Sequence, residues 1–328
     1  MSLSKRAFLK QSVLSSLAFA APWPLEASSA SNETNRNKEK KGRKFTMQLN
    51  GGLIGVNANQ VQLIDLAYKY GFETVAAYPH YLAKLSDQEL ARLLEDMKRK
   101  KIAFGVGNIA FQFREKEDVY RKSLIELPAL ASALQRAGVT RAMTWIRSFH
   151  SELNYLQNFR QHAVRLRETA AILNDYGIRF GIEYLGSKAL LTSAKYPFIH
   201  TLAELQELIA AIGQPNVGIH LDTAHWFAAG ESLDTIRSLT NKQLVGCDID
   251  DALPGYEPIE NQPAFQRELP AATGIIDTKG FLEALVDIGY DGFIQAEPFN
   301  EALNQLDDDE AVRKTAAAMK KAFSFVGG

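Results

Sequence analysis

From Phe45 onward the chain alternates short β-type runs with amphipathic helical stretches, and it does so eight times. This pattern demands a parallel sheet with helical crossovers, because neighbouring parallel strands cannot be joined by a tight turn. The strand candidates are Phe45–Asn50, Glu73–Ala77, Ile102–Gly107, Arg141–Arg147, Ile178–Tyr184, Val217–Asp222, Leu244–Ile249 and Gly292–Glu297. Eight such units predict a single closed (β/α)8 TIM barrel, an α/β fold that leaves no sheet edge exposed. Helix signals fill the gaps. Val61–Tyr70 is amphipathic and stops before Gly71, and Tyr120–Ala137 reads as one long helix. Ser86 with Glu89, and Thr201 with Glu204, have capping-box spacing. The stretch Asp250–Ala272 holds Pro254, Pro258, Pro263 and Pro270, which predicts a long loop of the kind that serves as a lid or binding segment.

The first 44 residues read differently. Lys5 and Arg6 precede Ala7-Phe8-Leu9-Lys10, a mild apolar stretch runs to Ala21, and small residues cluster at Ala27-Ser28-Ser29-Ala30. Charged, apolar and small-residue segments in that order predict an export signal over 1–30, twin-arginine-like with Lys in place of the first Arg. An ordinary secretory signal is the alternative. Residues 31–44 carry six basic and two acidic side chains, with almost no apolar ones, and predict a polar basic linker. The barrel is then 45–328, and the expected destination is the periplasm. The apolar stretch is too short and serine-rich for stable membrane insertion. A net charge of −1 opposes a dedicated nucleic-acid partner. The single cysteine, Cys247, excludes a disulfide framework and a cysteine-rich zinc site.

Four carboxylates close four of the strand candidates: Glu183, Asp222, Asp248 and Glu297. Strand ends of a parallel barrel converge on one mouth, where four acids would repel one another. A divalent cation relieves that repulsion, and an oxygen-only ligand set suits Mg²⁺ or Mn²⁺. By strand alternation Cys247 faces away from Asp248 and reads as a small buried hydrophobe. His220 shares a strand face with Asp222, two residues deeper, as a core residue or a support for the ligands.

The segments Gly181-Ile-Glu183, His220-Leu-Asp-Thr-Ala-His225 and Gly289-Tyr-Asp-Gly-Phe-Ile-Gln-Ala-Glu-Pro298 together resemble the xylose isomerase-like TIM-barrel superfamily, in its sugar phosphate isomerase/epimerase branch. The resemblance implies one divalent ion held through Glu183, Asp222, the position of Asp248, and Glu297. At Asp248 the chain departs from the family, which usually places His there. The alternative for Asp248 is a polar wall beside a three-ligand site. The resemblance also implies proton removal next to a carbonyl, with Glu183 and Glu297 as the proton-transferring pair, through an enediolate. His225 and the loop residue Arg267 fall where relatives contact substrate oxygens. His80, Trp145 and Trp226 are further candidates for the substrate pocket, since aromatic faces stack on sugar C–H surfaces; core packing is the alternative for both tryptophans.

The expected function is a metal-dependent isomerase or epimerase of a sugar or keto-sugar. A metal-dependent lyase or dehydratase would use the same acids, and a non-catalytic carbohydrate-binding barrel is the third reading. An abasic-site endonuclease, from the same superfamily, is disfavoured by the few histidines and near-neutral charge. The sequence leaves a homo-oligomer open.

Overall fold

The computed structural model describes residues 42–256, 259 and 262–327. The expected signal, and the linker up to residue 41, lie outside the described residues. Eight parallel strands close into a barrel in chain order. They are β1 (Thr46–Leu49), β2 (Thr74–Ala77), β3 (Ala103–Gly107), β4 (Arg141–Trp145), β5 (Arg179–Glu183), β6 (Val217–Asp222), β7 (Leu244–Ile249) and β8 (Phe293–Ala296). Pairing of Thr46 with Phe293 and Met47 with Ile294 closes the ring. Each strand lies within two residues of its expected limits. A small antiparallel ribbon, Phe149–His150 with Tyr196–Pro197, joins the loops after β4 and β5.

The main helices are α1 (Gln60–Tyr70), α2 (Asp87–Lys100), α3 (Glu117–Arg136), α4 (Tyr155–Asp175), α5 (Leu202–Ile212), α6 (Thr223–Ala228), α7 (Thr278–Asp287) and α8 (Asp308–Ser324). Both expected capping boxes form. Ser86 Oγ accepts from Glu89 N while the Glu89 carboxylate accepts from Ser86 N, and Thr201 with Glu204 repeats the exchange. Each box satisfies backbone donors that a helix start leaves open. No helix among the described residues is long and apolar enough to cross a membrane.

The apolar core has two parts. A large layer between strands and helices contains Phe45, Leu63, Leu166, Phe180, Ile219, Cys247 and Phe281. A small one inside the barrel contains Ala76, Val106 and Phe293, with Met143 against them. The rest of the interior is polar. Gln48 Nε2 donates to Gln295 Oε1 at 2.6 Å, and Asn50 Nδ2 donates to the same oxygen at 3.2 Å. Glycines make room for these large side chains: a Cβ at residue 105 would lie 1.8 Å from Gln48 Oε1, and one at residue 246 would lie 2.5 Å from the His220 ring.

Candidate active site

Strand register builds the site. Asp222 on β6 pairs with Asp248 on β7, Asp248 pairs with Gln295 on β8, and Trp145 on β4 pairs with Glu183 on β5. Glu297 follows β8 by one residue. Alternation sends Glu183, Asp222, Asp248 and Glu297 to the barrel axis at its C-terminal end. Their carboxylate oxygens come within 4.8 Å of one another. All four side chains are buried.

Burial and mutual repulsion set the electrostatics. Burial, reinforced by Glu297, Asp222 and Asp248, holds the Glu183 carboxyl well above the ordinary carboxylate range. Burial and then Asp248 do the same to Glu297. Asp222 resists: burial opposes its ionisation, yet the Arg267 guanidinium and His225 hold it below the ordinary range. A fifth acid, Asp250, sits two residues beyond Asp248 on the same face. Burial and Asp222 push it to about 8, with Thr223 Oγ1 donating to Oδ1 at 2.7 Å.

Arg267 joins these acids from the loop after β7. Its Nη1 donates to Asp222 Oδ2 at 2.8 Å and to Asp250 Oδ2 at 2.5 Å, and lies 3.7 Å from Glu297 Oε2. Its Nη2 meets His225 Nε2 at 2.9 Å. A guanidinium only donates, so His225 Nε2 accepts and the ring proton sits on Nδ1. Burial, together with Arg267, drives His225 down to about 3, which keeps it neutral. The His225 backbone N–H donates to Asp222 Oδ1 at 2.9 Å, fixing this carboxylate as the cap of α6. The Arg267 guanidinium also lies over the Phe299 ring, 5.1 Å from its centroid. Phe299 holds φ at +43°, a costly conformation for an aromatic residue that fixes the ring beneath the arginine.

The loop carrying Arg267 is tied down by Asp251. Its Oδ1 accepts from Ala252 N and Ile276 N, and its Oδ2 accepts from Thr273 N and Gly274 N. Asp251 and Glu268 also exchange backbone hydrogen bonds at 2.9 and 2.8 Å. The irregular segment is therefore pinned at both sides of Arg267.

Several buried oxygens have no hydrogen-bond donor: Asp248 Oδ1 and Oδ2, and Glu183 Oε1. A buried carboxylate left without donors is expensive unless a cation meets it. The donor set is hard, anionic and convergent, and it fits a divalent metal ion.

The other expected residues are dispersed. Trp145 is half-buried on the inward face of β4 beside Glu183, with the Arg114 guanidinium 4.1 Å above its ring. Trp226 does not face the mouth. Its ring meets Phe281 edge-on at 5.6 Å and its Nε1–H donates to Ser232 O, because the short helix α6 turns this side chain into the outer core. His80 borders a side cavity of about 180 Å³, with Ile109, Phe111, Ser123 and Leu127, under α3 and α4. Sequence reasoning missed Asp250, Phe299 and Arg114. For Asp250 a signal existed, since period-two alternation from Asp248 points it to the same side.

A family model described as xylose isomerase-like TIM barrel matches residues 64–322. An inosose isomerase of Bacillus velezensis is 23% identical over 276 residues, covering 81% of this chain and 94% of the relative. The structure of a xylose isomerase domain protein from Alicyclobacillus acidocaldarius superposes with a TM-score of 0.74 at 27% identity, covering 87% of this chain and 100% of that one. A structure of the IOLI protein with a binding zinc atom gives 0.70 at 21% identity, covering 85% and 98%.

Proposed function

Because the chain belongs to the xylose isomerase-like TIM barrel family, we propose that it is an isomerase or epimerase of a sugar or keto-sugar that works by moving a proton next to a carbonyl, with one divalent metal ion. The observation that carries this reading is the pair Glu183 and Glu297. Both are buried at the mouth, and both are held above the ordinary carboxylate range by burial and neighbouring acids. Two carboxylates converging on one spot at the mouth can remove a proton from a bound carbon acid and return it. Proton removal gives an enediolate. Return of a proton by Glu297 to the opposite face of the same carbon gives epimerisation, and delivery to the adjacent carbon gives isomerisation.

Glu183, Asp222, Asp248 and Glu297 would hold the cation, with Mn²⁺ or Mg²⁺ the proposed ion. When bound, it supplies positive charge against the oxygens flanking the reacting carbon. Neutral His225 and the clamped Arg267 stand beside the same carboxylates and are paired with one another through Nε2 and Nη2, which leaves N–H groups, not acceptors, to meet substrate hydroxyls. Trp145, stacked under Arg114, gives an aromatic wall beside Glu183 on which a sugar C–H face can rest. The inosose isomerase relatives support a polyhydroxylated ketone as the substrate class, and the zinc-bound IOLI structure supports a metal. Export from the cytoplasm belongs to the same proposal and rests on the charged, apolar and small-residue order before residue 31.

The test is solvent deuterium uptake followed by NMR, with Mg²⁺-loaded protein and a panel of aldoses, ketoses, inososes and 3-keto-glycosides. Deuterium appearing next to a carbonyl, with an isomeric product, is the expected result. Loss of a substituent instead would convert the reading to a lyase. Metal binding without exchange in any panel member would refute it.

A further inference from the structure

His220 is fully buried inside the barrel, two residues below Asp222 on β6. Neither of its ring nitrogens has a hydrogen-bond partner. A buried imidazole with both nitrogens unsatisfied is costly and calls for an explanation. Its Nε2 points up at the acids and lies 3.0 Å from Asp248 Oδ1, yet the two do not align as a hydrogen bond. His220, Asp248 and Glu183 each bring one ligand-capable atom within 4.8 Å of the other two. Two ligands at about 2.1 Å from one ion, at right angles, are about 3.0 Å apart. The His220–Asp248 spacing is therefore that of neighbouring ligands around a single ion.

The surroundings hold the ring in this place. A Cβ at residue 246 would lie 2.5 Å from His220 Nδ1 and 2.5 Å from the Phe293 ring, and one at residue 181 would lie 3.2 Å from His220 Cβ. Glycine at both positions opens a slot into which the imidazole fits, and the Phe293 ring, 6.0 Å away and tilted 30°, closes its lower side. Trimmed backbone on the two strands that flank β6 is what a fixed ring needs if it is to serve the group above it.

We infer that His220 ligates the bound cation directly through Nε2, together with Asp248 and Glu183. This inference rests on the metal in the proposed function. It makes the site a mixed nitrogen-and-carboxylate one. Imidazole favours Mn²⁺, Co²⁺ and Zn²⁺ over Mg²⁺, so the preferred ion is a transition metal. Nδ1, facing residue 246, has no hydrogen-bond partner to orient it, and the walls of the slot take over that task.

Affinity alone does not decide the matter, because a histidine that merely oriented Asp248 would also cost about 10–100-fold in metal affinity when replaced. The decisive readout is nitrogen coupling. The full chain is stripped of metal, loaded with Mn²⁺ and examined by electron spin-echo modulation. The expected result is a directly coordinated ¹⁴N signal in the wild type and in His225→Gln, and its loss in His220→Gln. Calorimetry on the same samples should show Mn²⁺ binding at least about tenfold tighter than Mg²⁺ in the wild type, with that preference reduced in His220→Gln. Bound Mn²⁺ without nitrogen coupling in the wild type would overturn the inference while leaving the metal site intact, and this arm needs no variant to fold. A signal lost in His225→Gln instead would also overturn it. Failure to bind Mn²⁺ or any divalent ion would overturn the metal site itself.

Discussion

Asp251 offers the sharpest quantitative test of how the loop after β7 is held. Its carboxylate is fully buried and accepts four backbone N–H bonds of 2.9, 3.0, 2.9 and 2.7 Å. Asp251→Asn keeps the size but turns one oxygen into an amide donor. If Oδ2 is the atom replaced, Thr273 N–H and Gly274 N–H face a donor; if the amide flips, Ala252 and Ile276 do. Either way two N–H groups lose a charged acceptor, buried ones at Ala252 and Ile276 or part-buried ones at Thr273 and Gly274. A hydrogen bond to a charged group contributes about 1.5–3 kcal/mol, so two of them set an upper bound of about 3–6 kcal/mol on the loss. That is a large share of a typical unfolding free energy of about 5–15 kcal/mol. Equilibrium urea unfolding at neutral pH measures it. Because the anchored segment also carries Arg267, limited proteolysis should show new cleavage between residues 251 and 276. A stability change under about 1 kcal/mol with no new cleavage would refute the view that this carboxylate holds the loop.

Three further outcomes are expected. Glu183→Gln and Glu297→Gln should each cut proton exchange by at least about a hundredfold, and should leave metal-free stability equal or higher, because each removes one member of a repelling cluster; unchanged exchange would exclude that residue from proton transfer. Arg267→Met should lower the stability of metal-free protein by about 3–5 kcal/mol, with added Mn²⁺ narrowing the gap, as read by thermal unfolding with and without metal. His162, buried and held down from 6.5 to about 4 chiefly by burial, stays neutral in the fold. Its unfolded form takes up a proton first, so stability is greatest above pH 6.5 and falls by at most about 3 kcal/mol as pH drops to about 4; His162→Leu should flatten this part of the profile.

The parts of the molecule legible in the sequence were those fixed by local periodicity. Each strand shows as a short apolar run, and Ser86 and Thr201 announce their helices by a spacing that only a helix start satisfies. Glu183, Asp222, Asp248 and Glu297 converge because ends of parallel strands must share a rim, so topology alone brings them together. What local pattern could not give is the direction of side chains that leave a strand end. Trp226 follows Asp222 by four residues, but α6 rotates it against Phe281 instead of the mouth. Arg267 reads as a loop residue among prolines, and only the fold shows it buried among Asp222, Asp250 and His225. Arg114 carries no motif at all; burial, then Arg147, lowers it to about 10, and it reaches the Trp145 ring from the loop after β3.

The arginine clamp makes two events answer to one another. Arg267 lends positive charge to Asp222 and Asp250 from a segment that Asp251 pins, while a metal ion would lend it to Asp222 from solution. Two cations that draw on the same carboxylate compete, and competition of this kind is reciprocal. Whatever strengthens the contact of Arg267 with Asp222 weakens a metal at Asp222 by the same factor, and the reverse holds. Metal loading and the arginine contact are then a single equilibrium, with Asp222 as its pivot.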